Sequence, residues 1–276
     1  MMRATTGWAV AVRTPSGQIE AISSELPRLS ARTSLAKVPF LRGVLVLGES
    51  LNLGFRSLSW SAQMATGEEE KPLTGRQVAV TMAFAMAFFL ALFIVVPAVV
   101  AGWLVPEGST LWFNALEGLA RLGLFVGYIW AIGLSKDIQR VFAYHGAEHM
   151  TIHAFEAGEP LSVDSVARYR PEHPRCGTSF LLIVVLGSIL VFSLLGRPGW
   201  VWLIASRVLL IPAIAGVAYE VIKFSGARRS QALGRVLAAP GLWLQRLTTR
   251  LPDRDQIEVA VASMLAALDD RAVAEV

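Results

Sequence analysis

The sequence predicts an all-α polytopic membrane protein with four transmembrane helices, a small N-terminal β-hairpin and cytoplasmic amphipathic helices. Three observations carry that prediction. Of the 276 residues, 54% are apolar and only 17% charged, against about a quarter charged in soluble chains. Four apolar stretches each approach or exceed the roughly 20 residues that a helix needs to cross about 30 Å of hydrocarbon. The basic residues, finally, gather at one end of every stretch.

The spans run from about Val78 to Trp103, Leu111 to Leu134, Thr178 to Gly196 and Trp200 to Phe224. The connection Val105 to Thr110 holds no Lys or Arg, and Gly196 to Gly199 holds only Arg197. Lys71 and Arg76 precede the first span, Lys136 and Arg140 follow the second, Arg175 precedes the third, and Lys223, Arg228 and Arg229 follow the fourth. By the positive-inside rule, both termini and the connection between the second and third spans are expected in the cytoplasm.

The net charge of +4 is dispersed rather than gathered in a stripe, so nucleic acid is not an expected partner. An anionic inner leaflet, and membrane lipids generally, suit it better. One cysteine excludes an intrachain disulfide. Met1 to Gly17 has no long apolar core, so no cleaved signal peptide is expected there.

Three parts are expected. Residues 1–64 hold a hairpin and an interfacial helix, residues 65–225 the membrane domain, and residues 226–276 an amphipathic tail. In the first, Ala9 to Ile22 alternates around Thr14-Pro15-Ser16-Gly17, a turn between two strand-like runs. Pro39 to Ala62 is apolar but broken by Arg42, Glu49, Asn52 and Arg56, which suits an amphipathic helix on or under the membrane better than a fifth span. In the tail, Leu242-Trp243-Leu244 lies beside Arg246 and Arg250, an interfacial pattern, and Gln256 to Leu268 reads as a second amphipathic helix.

The chemistry-bearing residues are concentrated in the segment 135–177. Lys136 to Gly158 reads as a helix continuing from the second span, with Gly158 as its stop. On it, His145, His149, His153 and Glu156 fall within about 80° of arc. Two histidines four apart on a helix can chelate a metal that takes further ligands from elsewhere. His145-Gly-Ala-Glu148-His149 also fits the H-x-x-E-H string, in which the glutamate acts as base on metal-bound water. His145 and His153, however, lie about 12 Å apart along the axis, too far to share one ion from a straight helix. Either His145 and His149 ligate, or His149 and His153 do with Glu156 available one turn on. The remaining histidine would orient a ligand or serve as an acid/base group.

The loop Leu161 to Cys176 returns to the same membrane face and must contribute. His173 and Cys176 suit zinc or iron, and Cys176 could instead be a nucleophilic thiolate, its pKa lowered by Arg175 and by the helix that follows. Every histidine and the single cysteine thus lie between His145 and Cys176. The bland alternative is an ordinary solvated helix face.

Charges also stand inside the spans, where they are costly and normally paired. Glu117 is expected about 9 Å deep and Arg207 about 10 Å deep from the outer side. Glu117 should therefore pair with Arg207 or with Arg121, as glue between helices or, alternatively, as the lining of a transport path. Glu220, near the cytoplasmic end of the fourth span, could join the histidine site.

Tyr144-His-Gly-Ala-Glu-His149, continuing through Thr151-Ile-His153 to Glu156-Ala-Gly158, resembles the DUF1385 (domain of unknown function 1385), YqhQ-like family of bacterial membrane proteins. So do His173-Pro-Arg-Cys-Gly-Thr-Ser-Phe180, Pro39-Phe-Leu-Arg-Gly43, Ser61-Ala62, Glu117-Gly118, Ala218-Tyr219-Glu220, Pro240-Gly-Leu-Trp-Leu-Gln245 and Leu247-Thr-Thr-Arg250. The resemblance implies a metal-dependent membrane enzyme without an established substrate, with His145, Glu148, His149, His153, Glu156, His173 and Cys176 at the motif positions. Members usually carry a Gly-Gly-Gln-Ala-Val-Ile-Glu-Gly-Val-like stretch ahead of the Met-Met-Arg with which this chain opens. A ligand supplied there would be missing from a protein made from Met1.

The first expectation is therefore a metal-dependent, hydrolase-like enzyme using a divalent ion, zinc foremost. His145, His149, His153, Glu156, His173 and Cys176 are the candidate ligands, and Glu148, Cys176 and Glu220 the candidate catalytic groups. A lipid-linked or membrane-bound substrate would approach from the inner leaflet. The alternatives are a small transporter or channel, formed as an oligomer or with a membrane-protein partner, and a metal-stabilised scaffold.

Overall fold

The computed structural model describes residues 1–4, 7–25, 38–66, 75–174, 176–197, 199–228 and 231–268. Three of the basic residues used to orient the spans, Lys71, Arg175 and Arg229, lie outside them.

At the N-terminus the strands β1 (Met2–Arg3), β2 (Gly7–Arg13) and β3 (Ile19–Glu25) form an antiparallel sheet in that order. The expected hairpin is β2–β3, closed where Thr14 donates its N–H to the Gln18 carbonyl at 2.9 Å and Gly17 adopts a φ of +85°. The sequence reading missed β1, because two residues carry no detectable alternation; it pairs Met2 with Ala9 and Arg3 with Trp8. Successive side chains of β2 point to opposite faces. Trp8 and Val10 pack on Leu53 of α1 (Leu41–Thr66), while Ala9 packs among residues of α10 (Arg254–Leu268).

Among the described residues, four helical stretches are long and apolar enough to cross a membrane: Ala83–Leu104, Thr110–Ile132, Gly177–Leu194 and Trp200–Ala227. The first is composite: α2 (Gly75–Leu90) passes through a π-helical turn, Ala91–Val95, into α3 (Val96–Leu104). In an α-helix the Phe93 carbonyl would accept from residue 97, but Pro97 has no N–H to give. That freed carbonyl accepts from Arg121 Nε at 2.9 Å. The other spans are α4 (Thr110–Ile132), α7 (Gly177–Leu194) and α8 (Trp200–Ala227).

The expected pairing of Glu117 holds with both arginines. Its carboxylate meets Arg121 Nη2 at 2.7 Å, Arg207 Nη2 at 2.7 Å and Arg207 Nε at 3.2 Å, and all three residues are buried. Arg121 also donates to Ser188 Oγ at 3.3 Å, and both guanidinium groups stand within 5.0 Å of the Phe192 ring centroid.

The histidine helix does not run on from the second span. α4 ends at Gly133, and α5 (Lys136–Glu156) starts anew after a turn in which Gln139 Nε2 donates to the Gly133 carbonyl at 3.1 Å. Gly158, at φ +72°, follows α5 as expected. After a short α6 (Val163–Val166), the chain enters α7. The tail is packed rather than loose: α9 (Ala232–Thr248) lies on α7 and α8, and α10 on the sheet and α5. Ala147, Met150 and Ala154 of α5 share one core with Ile257, Ala260 and Met264 of α10.

The membrane bundle makes a direct prediction. Replacing Glu117 by Gln leaves two buried guanidinium groups without a counter-charge, which should cost about 3–5 kcal/mol. Arg121→Gln leaves a one-to-one pair and should cost clearly less. Denaturant unfolding of the solubilised protein would measure both, and equal losses would count against the shared-carboxylate arrangement.

Candidate functional site

Helical spacing puts the α5 histidines on one face, and the returning loop closes over that face. His149 Nδ1 lies 2.6 Å from the Pro171 carbonyl, and His153 Nε2 lies 2.9 Å from the Glu172 carbonyl. His145 Nδ1 lies 2.8 Å from the Thr248 carbonyl, at the end of α9. A carbonyl only accepts, so each of these ring nitrogens carries the hydrogen. In the neutral rings the opposite nitrogens keep their lone pairs for an ion, and in the protonated rings they carry a hydrogen that can be donated to a thiolate.

Cys176, the N-cap of α7, completes the group. Its Sγ lies 3.2 Å from His145 Nε2 and 3.0 Å from Thr178 Oγ1, and the Thr178 N–H points to it at 3.4 Å. Donor atoms of His145, His149 and Cys176 all fall within 4.8 Å of one another. Burial alone would push the Cys176 thiol up, but hydrogen bonds from His145 and His149 outweigh it and bring the thiol down to about 5. Burial likewise disfavours imidazolium at His145, yet its bonds to Cys176 and Thr248 hold its pKa above the ordinary value.

This donor set fits a divalent ion. Tetrahedral zinc with bonds of about 2.0–2.3 Å separates its ligand atoms by about 3.5 Å, close to the spacing at His145 and Cys176. Two imidazoles and a thiolate suit zinc, and ligating histidines characteristically donate their other N–H to a backbone carbonyl. On a tetrahedral ion, these three donors would leave a fourth position for water or substrate.

The other expected site residues are placed differently. His173, His153 and Glu156 form an adjoining group: the His153 and His173 rings are 4.5 Å apart, His173 Nε2 is 3.6 Å from Glu156 Oε1, and His153 stacks on Tyr169. The His149 and His173 rings, 5.8 Å apart, connect the two groups. Of the two ligand pairs the sequence left open, His145 with His149 is the one that gathers Cys176.

Glu148, expected as general base, is in an ion pair with the Met1 ammonium. Glu220, expected as a possible member of the site, instead binds Arg42 of α1 through both oxygens, one bond being 2.7 Å from Nε, and accepts the Phe40 N–H at 3.4 Å. The end of the fourth span is engaged by α1, and that contact takes up Glu220.

Sequence reasoning missed Gln245. Fully buried, it accepts the His173 N–H at 2.7 Å and donates to the His173 carbonyl at 2.9 Å and to Ser179 Oγ at 3.0 Å. It thereby fixes the loop between α6 and α7. A signal was available: Gly241, Leu244, Gln245 and Thr248 share one face of α9, so a polar amide stands in an apolar stripe. Arg250 adds a second clasp, its N–H donating to the Phe142 carbonyl at 3.0 Å.

A bundle of apolar helices carrying a His/His/Cys group at one edge is the class of protein that emerges. The chain belongs to the family described as "Protein of unknown function (DUF1385)", whose pattern matches residues 38–270. It is 31% identical over 283 residues to the "Uncharacterized protein YqhQ" of Bacillus subtilis (strain 168), covering 97% of this chain and 89% of that one. No solved structure matches.

In metal-free protein, the thiolate absorbance of Cys176 should titrate near pH 5. His145→Ala removes a donor to the thiolate and should move that titration up toward the usual value of about 8.5. An unmoved titration would break the link between the two side chains. Gln245→Leu, which strands the His173 backbone groups, should cost about 1–3 kcal/mol in unfolding measurements.

Proposed function

We propose that this protein is a metal-dependent, hydrolase-like enzyme of the bacterial cell membrane, with both termini and the His/Cys site on the cytoplasmic side. A divalent ion, zinc foremost, would be held by His145 Nε2, His149 Nε2 and Cys176 Sγ. The observation that carries the reading is the anchoring of the two histidines, whose Nδ1 atoms lie 2.8 and 2.6 Å from carbonyls, together with the gathering of a donor atom from each ring and one sulfur within 4.8 Å. Bound there, the ion would polarise a carbonyl or phosphoryl oxygen or activate water. His173, with the Glu156 carboxylate at 3.6 Å, is the acid–base pair beside the donors. The cytoplasmic assignment is supported by Lys136, Arg140, Lys223 and Arg228, set against the absence of Lys and Arg in residues 105–110. The substrate class is a lipid-linked or membrane-bound compound reached from the inner leaflet.

Elemental analysis of the purified protein tests the centre. About one equivalent of metal is expected, falling to background in His149→Ala and in Cys176→Ser. Metal-free wild-type protein would remove the metal reading.

The thiol brought down to about 5 favours a second reading, nucleophilic catalysis by Cys176 with His145 as its partner. A covalent adduct on Cys176, formed by metal-free protein and blocked in Cys176→Ser, would select it.

A further inference from the structure

Beside the His/Cys site lies a cavity of about 490 Å³, within the roughly 300–1,000 Å³ range of small-molecule sites. Its walls come from all four spans and are aromatic and aliphatic, with Phe89, Phe125 and Val185 prominent. One end is shared with the site. Thr178, whose hydroxyl touches Cys176 Sγ, and Thr248, whose carbonyl holds His145, both line it. The other end is marked by Ser188, Phe192 and Arg121. The lining residues of α7 run from Thr178 to Phe192, fourteen residues, so the cavity extends about 21 Å along the span. That is more than half of the roughly 30 Å hydrocarbon thickness.

We propose that this cavity holds a single fatty-acyl chain of a lipid. The polar end of that chain lies at Cys176 and Thr178, and its methyl end lies near the level of Ser188. Three observations select this occupant. The polar atoms at the far end are turned to one another: Arg121 bonds Glu117, the Phe93 carbonyl and Ser188, so the floor asks for no polar ligand. An apolar enclosure of this kind does not hold water well and accepts hydrocarbon. Phe88 and Phe89 line the cavity and are 54% and 46% exposed, so the wall that they form is open and a chain can enter through it. A cavity drawn out along the span in this way fits an acyl tail better than a compact ring system.

The proposal deepens the reading of the His/Cys centre, because it names the substrate class as acyl lipid, but tail binding does not require the metal. The full-length protein is reconstituted in phosphatidylethanolamine and phosphatidylglycerol nanodiscs and labelled with a palmitate analogue carrying a terminal diazirine. Crosslinks are mapped by peptide mass spectrometry, and metal content is measured on the same samples. Saturable labelling, displaced by unlabelled palmitate and mapping to α4 and α7 residues of the cavity, is expected. Val185→Trp and the milder Val184→Phe, both filling the cavity, should weaken it about tenfold or more, while Leu190→Trp on the exposed side of the same helix should not. Labelling of wild type that does not saturate, or that persists undiminished in both cavity variants, overturns the tail site. Saturable labelling of a protein that binds no metal upholds it and removes the metal centre instead.

Discussion

One carboxylate organises the membrane part of the molecule. Glu117, on the second span, binds Arg207 of the fourth and Arg121 of its own helix. Arg121 in turn reaches the Phe93 carbonyl of the first span and Ser188 of the third. All four spans thus meet at one buried polar node, and helices that gain little from hydrophobic burial inside lipid acquire a fixed register. The node is specific because its parts were made available separately. Pro97 withholds an N–H, the π turn opens the helix, and the freed carbonyl becomes an acceptor for a charge that would otherwise be costly.

The second constraint lies at the start of the third span, where the residues between α6 and α7 have no regular structure to hold them against α5. Gln245 supplies both a donor and an acceptor to the His173 backbone, in the manner of a strand neighbour. With His173 fixed, Pro171 and Glu172 present their carbonyls to His149 and His153, and Cys176 arrives at His145. The chemistry of the three donors thus depends on an amide that touches none of them.

Much of this was legible in the sequence. Span positions follow from hydropathy, and the one-face array of histidines follows from helical periodicity. The impossibility of joining His145 and His153 on one ion required the loop to close over the helix, and it does. What was hidden depends on contacts distant in sequence. Glu220 was expected beside the histidine helix by level alone, and only the packing of α1 against α8 assigns it to Arg42. The turn at Gly133 interrupts what looked like a continuous helix, because a short break between two good helical patterns leaves little periodic trace. β1 was too short to read, and Gln245 was visible as an anomaly in α9 but not as a clamp.

The layer that covers α5 is built from the two ends of the chain. Ser263 of α10 donates to the Ala9 carbonyl across 254 residues, and Thr248 and Arg250, which engage His145 and Phe142, come only after the last span. Contacts so distant along the chain form late, since loop closure must precede them. During synthesis, therefore, the four spans can be inserted and joined at Glu117 before the His/Cys group is assembled. The Cys176 sulfur meets imidazole neighbours of fixed orientation only when the C-terminal helices dock. Biogenesis is thereby ordered: the spans first, the His/Cys group last.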